Sequence, residues 1–230
     1  MEDKQITMAA IAQETFKFLK EIRKNNNREW FSENKPKYVL AQTNTKAFAA
    51  ELAELMATHD TIEAPKVFRI YRDVRFSKNK IPYKTNMGVG FTRATDALRG
   101  GMYLNIEPGN SFAGGGFWAP NGPDLKRIRN EFAVNAGEFR EILASDEFIE
   151  YFGMLRGDAL KTAPRGFAKD HPDIDLLRMK QFLISKEFTD KEVLSKDFVV
   201  QVNDTFRAMR PFFNFMSDVL TTNENGESLL

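Results

Sequence analysis

A chain of 230 residues carries 33 basic and 32 acidic side chains, a formal net charge of +1, so no global field holds it on nucleic acid or an anionic surface, and any anion must be caught locally. It contains no cysteine, which excludes disulfides, thiolate nucleophiles and cysteine-ligated metal centres. No stretch approaches the roughly eighteen apolar residues of a membrane span, and the start, MEDKQITMAAIAQETFKFL, lacks the basic and apolar regions of a secretion signal, so a cytoplasmic location without a membrane partner is expected.

Apolar positions at Ile11, Phe16, Leu19 and Ile22 predict a helix between Met8 and Arg23, closed by the turn Asn25-Asn26-Asn27. A second helix is expected from Pro36, which suits a first turn, to about Thr58 or His59, with Tyr38, Ala41, Phe48, Leu52, Leu55 and Met56 largely on one face. Between the two, Trp30 and Phe31 are expected to anchor a helix junction, base stacking by an exposed Trp30 being the functional rival.

The period then changes. Phe68, Ile70, Val74 and Phe76 alternate, as do Met87, Val89 and Phe91, then Met102, Leu104 and Ile106, and the turn Glu107-Pro108-Gly109-Asn110 leads into Ser111–Trp118. These spacings predict a central, mainly antiparallel sheet of about four strands within residues 66–118, because most links are too short for parallel crossovers. From Pro123 onward helical spacing returns, in Leu125, Ile128 and Phe132, then Phe139, Ile142 and Leu143, then Leu176, Leu177, Met179 and Phe182. A final helix is expected from about Lys196 to Leu220, bent at Pro211. The expected architecture is α+β, with N-terminal and C-terminal helices covering the sheet. It forms a single domain over residues 1–220 with a flexible tail at 221–230.

One stretch is unlike the rest. FRIYRDVRFSKNKIPYKTN, Phe68–Asn86, holds Arg69, Arg72, Arg75, Lys78, Lys80 and Lys84 against Asp73 alone. Strand alternation puts Arg72 on the face of Phe68, Ile70, Val74 and Phe76, and a guanidinium there must be paired or must line a polar cavity, since it cannot shed its proton. Two readings follow. In one, Arg72 pairs internally with a carboxylate such as Glu107 or Glu131. In the other, Arg69, Arg72, Arg75, Lys80, Tyr83 and Lys84 bind the phosphate or carboxylate groups of a small ligand, with Asp73 and Tyr83 the candidate catalytic groups if there is a reaction.

The string Arg69-x-x-Arg72-Asp73-x-Arg75-Phe76, followed by Asn79-Lys80-x-x-Tyr83, resembles the signature of Domain of Unknown Function 2461, an uncharacterised, mostly bacterial family. The resemblance extends over nearly the whole chain, including Asn26-Asn27-Arg28-Glu29-Trp30-Phe31 and Gly115-Gly116-Phe117-Trp118. It implies one intact domain and draws attention to the arginine motif, and it implies no reaction.

Two further constellations stand out. Gly115, Gly116 and Trp118, just ahead of a helix start at Pro120–Asp124, can form a second wall of the anion site, although tight packing is the favoured explanation of the glycines. Lys169–Asp175 gathers His171 with Asp170, Asp173 and Asp175, where helix capping is favoured over a cation site. No metal and no cofactor are called for. The expected partner is a small anionic ligand; second comes nucleic acid along the same basic stretch, and third a non-catalytic interaction role with internally paired arginines.

Overall fold

The computed structural model describes residues 9–223 and 226–230, so the expectations for the first eight residues, including Met8 as a helix start, lie outside it. The fold is α+β, built on a five-stranded antiparallel sheet in the order β1-β2-β3-β4-β5. Its strands are β1 (Lys66–Val67), β2 (Met87–Thr92), β3 (Gly101–Ile106), β4 (Ser111–Phe117) and β5 (Phe182–Phe188). The chain divides into two compact units, and β2, β3, β4 and β5 each contribute residues to both.

The first unit comprises residues up to Phe91, Tyr103–Ala113 and Glu187–Asp204. Helix α1 (Gln13–Lys24) buries Phe16, Phe18, Leu19 and Ile22, the spacing expected of one face, and packs against α3 (Lys35–Met56). Pro36 sits in the first turn of α3, where its missing N–H costs nothing. A short helix, α2 (Arg28–Glu33), lies between them, capped by the Asn27 side chain, which accepts from the Trp30 N–H at 2.8 Å. Met87, Val89, Phe91, Leu104 and Ile106 are all but fully buried and form the strand part of this core.

At the turn after β3, Glu107 gathers three donors: Thr85 Oγ1 at 2.6 Å, Asn110 Nδ2 at 3.0 Å and Arg23 Nη2 at 3.1 Å. Burial alone would push this carboxyl up, but the two neutral hydrogen bonds and the Arg23 charge outweigh it and hold the group below its ordinary value of 4.5. A lowered folded-state pKa stabilises the fold above the ordinary value, and that contribution is lost as pH falls through the lowered one. Glu107→Gln should therefore be less stable than the parent at neutral pH, with the gap closing as pH falls below the ordinary value of 4.5 and through the lowered one. Urea unfolding at stepped pH measures this; a gap that stays constant would show that the carboxylate charge is not the cause.

The second unit comprises Thr92–Met102, Gly114–Lys186 and Thr205–Leu230. Its helices include α4 (Gly122–Val134), α5 (Gly137–Ala144), α6 (Asp146–Phe152) and α7 (Ile174–Arg178). Phe132, Phe139, Phe212 and Phe215 interlock with ring centroids 4.8 to 6.3 Å apart, which absorbs much of the phenylalanine load.

Three expectations change. Phe182 does not continue the preceding helical pattern; it opens β5, where Phe182, Ile184 and Phe188 are buried in strand alternation. After the short α8 (Asp190–Val193), the single final helix is two, α9 (Phe198–Ala208) and α10 (Arg210–Thr221), because Pro211 takes a first-turn position and starts a new helix instead of bending an old one. The strand expected through Phe76 is regular only at Lys66–Val67, and beyond it the chain leaves the sheet as an irregular ribbon.

Candidate functional site

That ribbon carries the basic stretch. β1 and β2 pair at Lys66↔Gly90 and Val67↔Val89, and the pairing continues outward through Phe68 N–H to Gly88 O at 2.9 Å and an isolated bridge between Tyr71 and Tyr83. Arg72 N–H donates to Pro82 O at 2.9 Å and Lys84 N–H to Ile70 O at 2.8 Å. Pro82 has no N–H to return, so the ladder frays into a tip over residues 73–81. Lys80 Nζ closes that tip by donating to Val74 O at 3.0 Å.

The ribbon is held from one side by the α1–α2 turn. Asn26 grips the Tyr83 backbone twice, donating from Nδ2 to Tyr83 O at 3.0 Å and accepting from Tyr83 N–H at 3.1 Å. Beneath this clamp the Phe31 ring stacks on Tyr83, centroids 4.1 Å apart and 20° from parallel, and meets Tyr71 edge-on at 5.6 Å. Tyr38 completes the cluster 5.5 Å from Phe31, its hydroxyl accepting from Gln42 Nε2 at 2.8 Å. The segments Asn26–Phe31 and Arg69–Tyr83 are therefore one structural object.

Residues 14–215 match the family described as Conserved hypothetical protein (DUF2461). The chain belongs to this family. A comparison with curated proteins found no match. Both segments of the clamp lie inside the stretch that matches DUF2461, as do Gly115, Gly116 and Trp118.

Within the DUF2461 ribbon the cations have different surroundings. Asp73 and Arg75 form a tight exposed pair, Nη2 to Oδ2 at 2.7 Å and Nε to Oδ1 at 3.0 Å, with the Arg75 N–H also on Asp73 Oδ1 at 3.2 Å. Hydrogen bonding to Arg75 holds the Asp73 carboxyl below the usual range, so it is a weak base. Burial pushes the Tyr83 hydroxyl up, so it stays protonated and keeps a proton to donate. Lys84 lies over the Phe68 ring, 5.5 Å from its centroid, with Lys66 at the same distance. Arg69 and Lys78 are exposed.

Arg72 is the exception. It is half-buried next to fully buried Ile70, with Val74 half-buried beyond it, and among the described residues its guanidinium has no hydrogen-bond, ion-pair or ring partner. Glu107, one carboxylate that could have neutralised it, is engaged by Arg23.

The remaining candidates have structural surroundings. Trp30 is half-buried and stacks on Phe18 at 6.3 Å, and Phe31 is 3% exposed, the junction role expected of the pair. Gly115 and Gly116 belong to the second unit, where a Cβ on the former would meet the Phe213 ring at 2.8 Å and one on the latter the Phe182 carbonyl oxygen at 2.1 Å. Trp118, also in the second unit, is 70% exposed. The N-terminus of α4 is filled by its own Asn121 cap and by Asp124, which pairs with Arg99 at 2.6 Å. Asp173 and Asp175 clamp Arg140 at 2.7 and 2.6 Å, and His171 Nδ1 accepts from the Asp173 N–H at 3.0 Å, a backbone-capping role at the entry to α7.

An open groove of about 310 Å³ runs along α1 over Phe16 and Leu194, rimmed by Lys17, Lys20 and Lys24, and Lys20 there already faces Asp190 at 3.5 Å. No helix among the described residues is long and apolar enough to cross a membrane, and no cluster of potential metal ligands occurs among them.

Sequence reasoning did not reach Asn26, Tyr71 or Arg28, the last of which acts electrostatically on Tyr83. The signal was present, since Asn26–Phe31 belongs to the same resemblance as the arginine motif, but nothing local says that the two segments touch.

Proposed function

We propose that the ribbon Phe68–Lys84 is an anion receptor for a ligand bearing phosphate or carboxylate groups, with Arg72 at its centre. The observation that carries this is the half-buried Arg72 guanidinium, which has no partner among the described residues. Partial burial removes water from a group with five donors, and a ligand oxyanion is what restores those hydrogen bonds, in bidentate fashion. Arg69, Lys78 and Lys84 add charge along the same ribbon, and Lys80 shapes the tip while contributing its own. Arg75 is engaged by Asp73 and holds the loop geometry. Tyr83, buried and protonated, supplies a neutral donor. Binding is the role proposed, and Asp73 and Tyr83 are poorly placed on the pH scale to act as a base at neutral pH.

The internal-pairing alternative makes an opposite prediction for one variant. If Arg72 were paired, Arg72→Met would strand a carboxylate and cost about 3–5 kcal/mol of stability. On the receptor reading the variant keeps its stability and loses affinity for the anion by about ten- to a hundredfold, the range for a charged hydrogen-bonding group. Thermal shift and calorimetric titration with inorganic phosphate, pyrophosphate and small dicarboxylates test this. An anion that binds the variant as well as the parent would sink the assignment.

A further inference from the structure

The tip of the ribbon holds the most exposed large apolar side chain among the described residues. Phe76 is 95% exposed, and Ile81, on the other side of the tip, is 43% exposed. In a molecule whose phenylalanines are otherwise mostly buried in two cores, a ring carried fully into water is costly unless something covers it. Its neighbours say what. Arg75 lies 5.9 Å from the ring centroid, Lys78 and Lys80 follow within four residues, and Arg69 and half-exposed Tyr71 stand on the ribbon's outward positions behind it.

We infer that the outer face of the ribbon binds single-stranded nucleic acid, with Phe76 stacking on a base and Arg69, Lys78 and Lys80 on successive phosphates. The inference rests on the anion-receptor reading above and names its ligand. Two requirements of single-strand recognition coincide here: cations spaced along an extended element, and an aromatic ring with a free face between them. Trp30, the stacking residue considered from the sequence, is committed to Phe18 and cannot serve, whereas Phe76 has no packing role to abandon.

An anionic bilayer is the other surface that receives basic loops with an exposed aromatic. Interfacial insertion scales with the apolar area that enters the bilayer, and this tip offers one full ring and a partly covered Ile81 among Ser77, Asn79 and three cations. Stacking needs only the one ring, so the geometry favours the base.

The experiment is fluorescence anisotropy with a labelled twelve-residue oligothymidylate, alongside an abasic strand of the same length. Calorimetric titration with inorganic phosphate runs in parallel, for the parent and for Phe76→Ala, Phe76→Tyr and Arg72→Met. Expected is oligonucleotide binding that weakens with salt, with a log–log slope of about −2 for three phosphate contacts on a single strand. Phe76→Ala should bind the oligothymidylate about tenfold more weakly, in the range of one lost stack, while Phe76→Tyr retains it. The abasic strand should bind parent and Phe76→Ala alike, and phosphate binding should be unaffected by either Phe76 change. Because Phe76 is almost fully exposed, with only the exposed Arg75 over its ring among the described residues, the thermal midpoint of Phe76→Ala should match the parent.

Oligothymidylate binding that is the same in Phe76→Ala and the parent would overturn the inference while leaving the anion receptor standing. So would phosphate binding without oligonucleotide binding. Binding of neither probe would remove both readings together. Capture by phosphatidylserine vesicles that depends on Phe76, without oligonucleotide binding, would assign the tip to a membrane surface instead.

Discussion

Phe31→Ala should destabilise the protein by about 3–5 kcal/mol, the usual cost of emptying a buried phenylalanine site. It should also detach the arginine ribbon before the rest of the fold opens. The ring is 3% exposed and touches Tyr38, Tyr71 and Tyr83, with the Tyr83 stack at 4.1 Å. Tyr71 and Tyr83 are the last bridged pair before the tip, so beyond them the ribbon has few hydrogen bonds of its own. Removing Phe31 takes away the surface on which that pair rests. The amides of Arg72 and Lys84, which bond across the ribbon to Pro82 O and Ile70 O, should then exchange far faster, while the amides of α3 slow or quicken only with global stability. Urea unfolding measures the first effect and hydrogen exchange the second. Loss of stability without selective loss of protection in the ribbon would mean that the ribbon is held by something other than this stack.

Gly116→Ala should cost about 2–4 kcal/mol, combining backbone strain at a left-handed residue with overpacking. Gly116 has φ +131, and a Cβ there would lie 2.1 Å from the Phe182 carbonyl oxygen and 3.0 Å from Leu183 Cα, backbone atoms of the β5 strand that cannot swing aside as a side chain can. Gly109 is the matched control. It too has a positive φ, +77, in the turn after β3, but nothing lies within 4 Å of the added Cβ, so Gly109→Ala should cost only the conformational part, about 1 kcal/mol. Chemical denaturation of the two variants separates close approach from turn geometry. Equal costs would show that the contact with β5 is not what requires a glycine at position 116.

Much of the fold is legible in local pattern. The apolar period of α1 and α3, the position of Pro36 in a first turn and the alternation through β2, β3 and β4 each arise from a few neighbouring residues. Where pattern misleads, a competing local rule is responsible. Phe182 sits at helical spacing from Leu176 and Met179, yet its own strand, Phe182–Phe188, alternates just as well, and a short apolar run does not decide between the two. Pro211 is compatible with either a kink or a new first turn, and which occurs depends on whether the preceding helix stops, which it does at Ala208.

The candidate site divides along the same line. The sequence by itself determined that six cations and one acid gather between Phe68 and Asn86, because that depends only on order; a shared side for Arg72, Ile70 and Val74 is what strand alternation predicts, in a segment that leaves the sheet as an irregular ribbon. Only the tertiary structure decided that Arg75 is matched by Asp73 while Arg72 is matched by nothing described. Tertiary structure alone also brings Asn26 and Phe31 from the first helices to grip Tyr83, and leaves Phe76, read as a strand residue facing the core, in water at the tip. The physical reason is that a partner, a stack and an exposure are properties of where distant segments meet. Pattern in one segment carries no information about the side chains another segment brings to it.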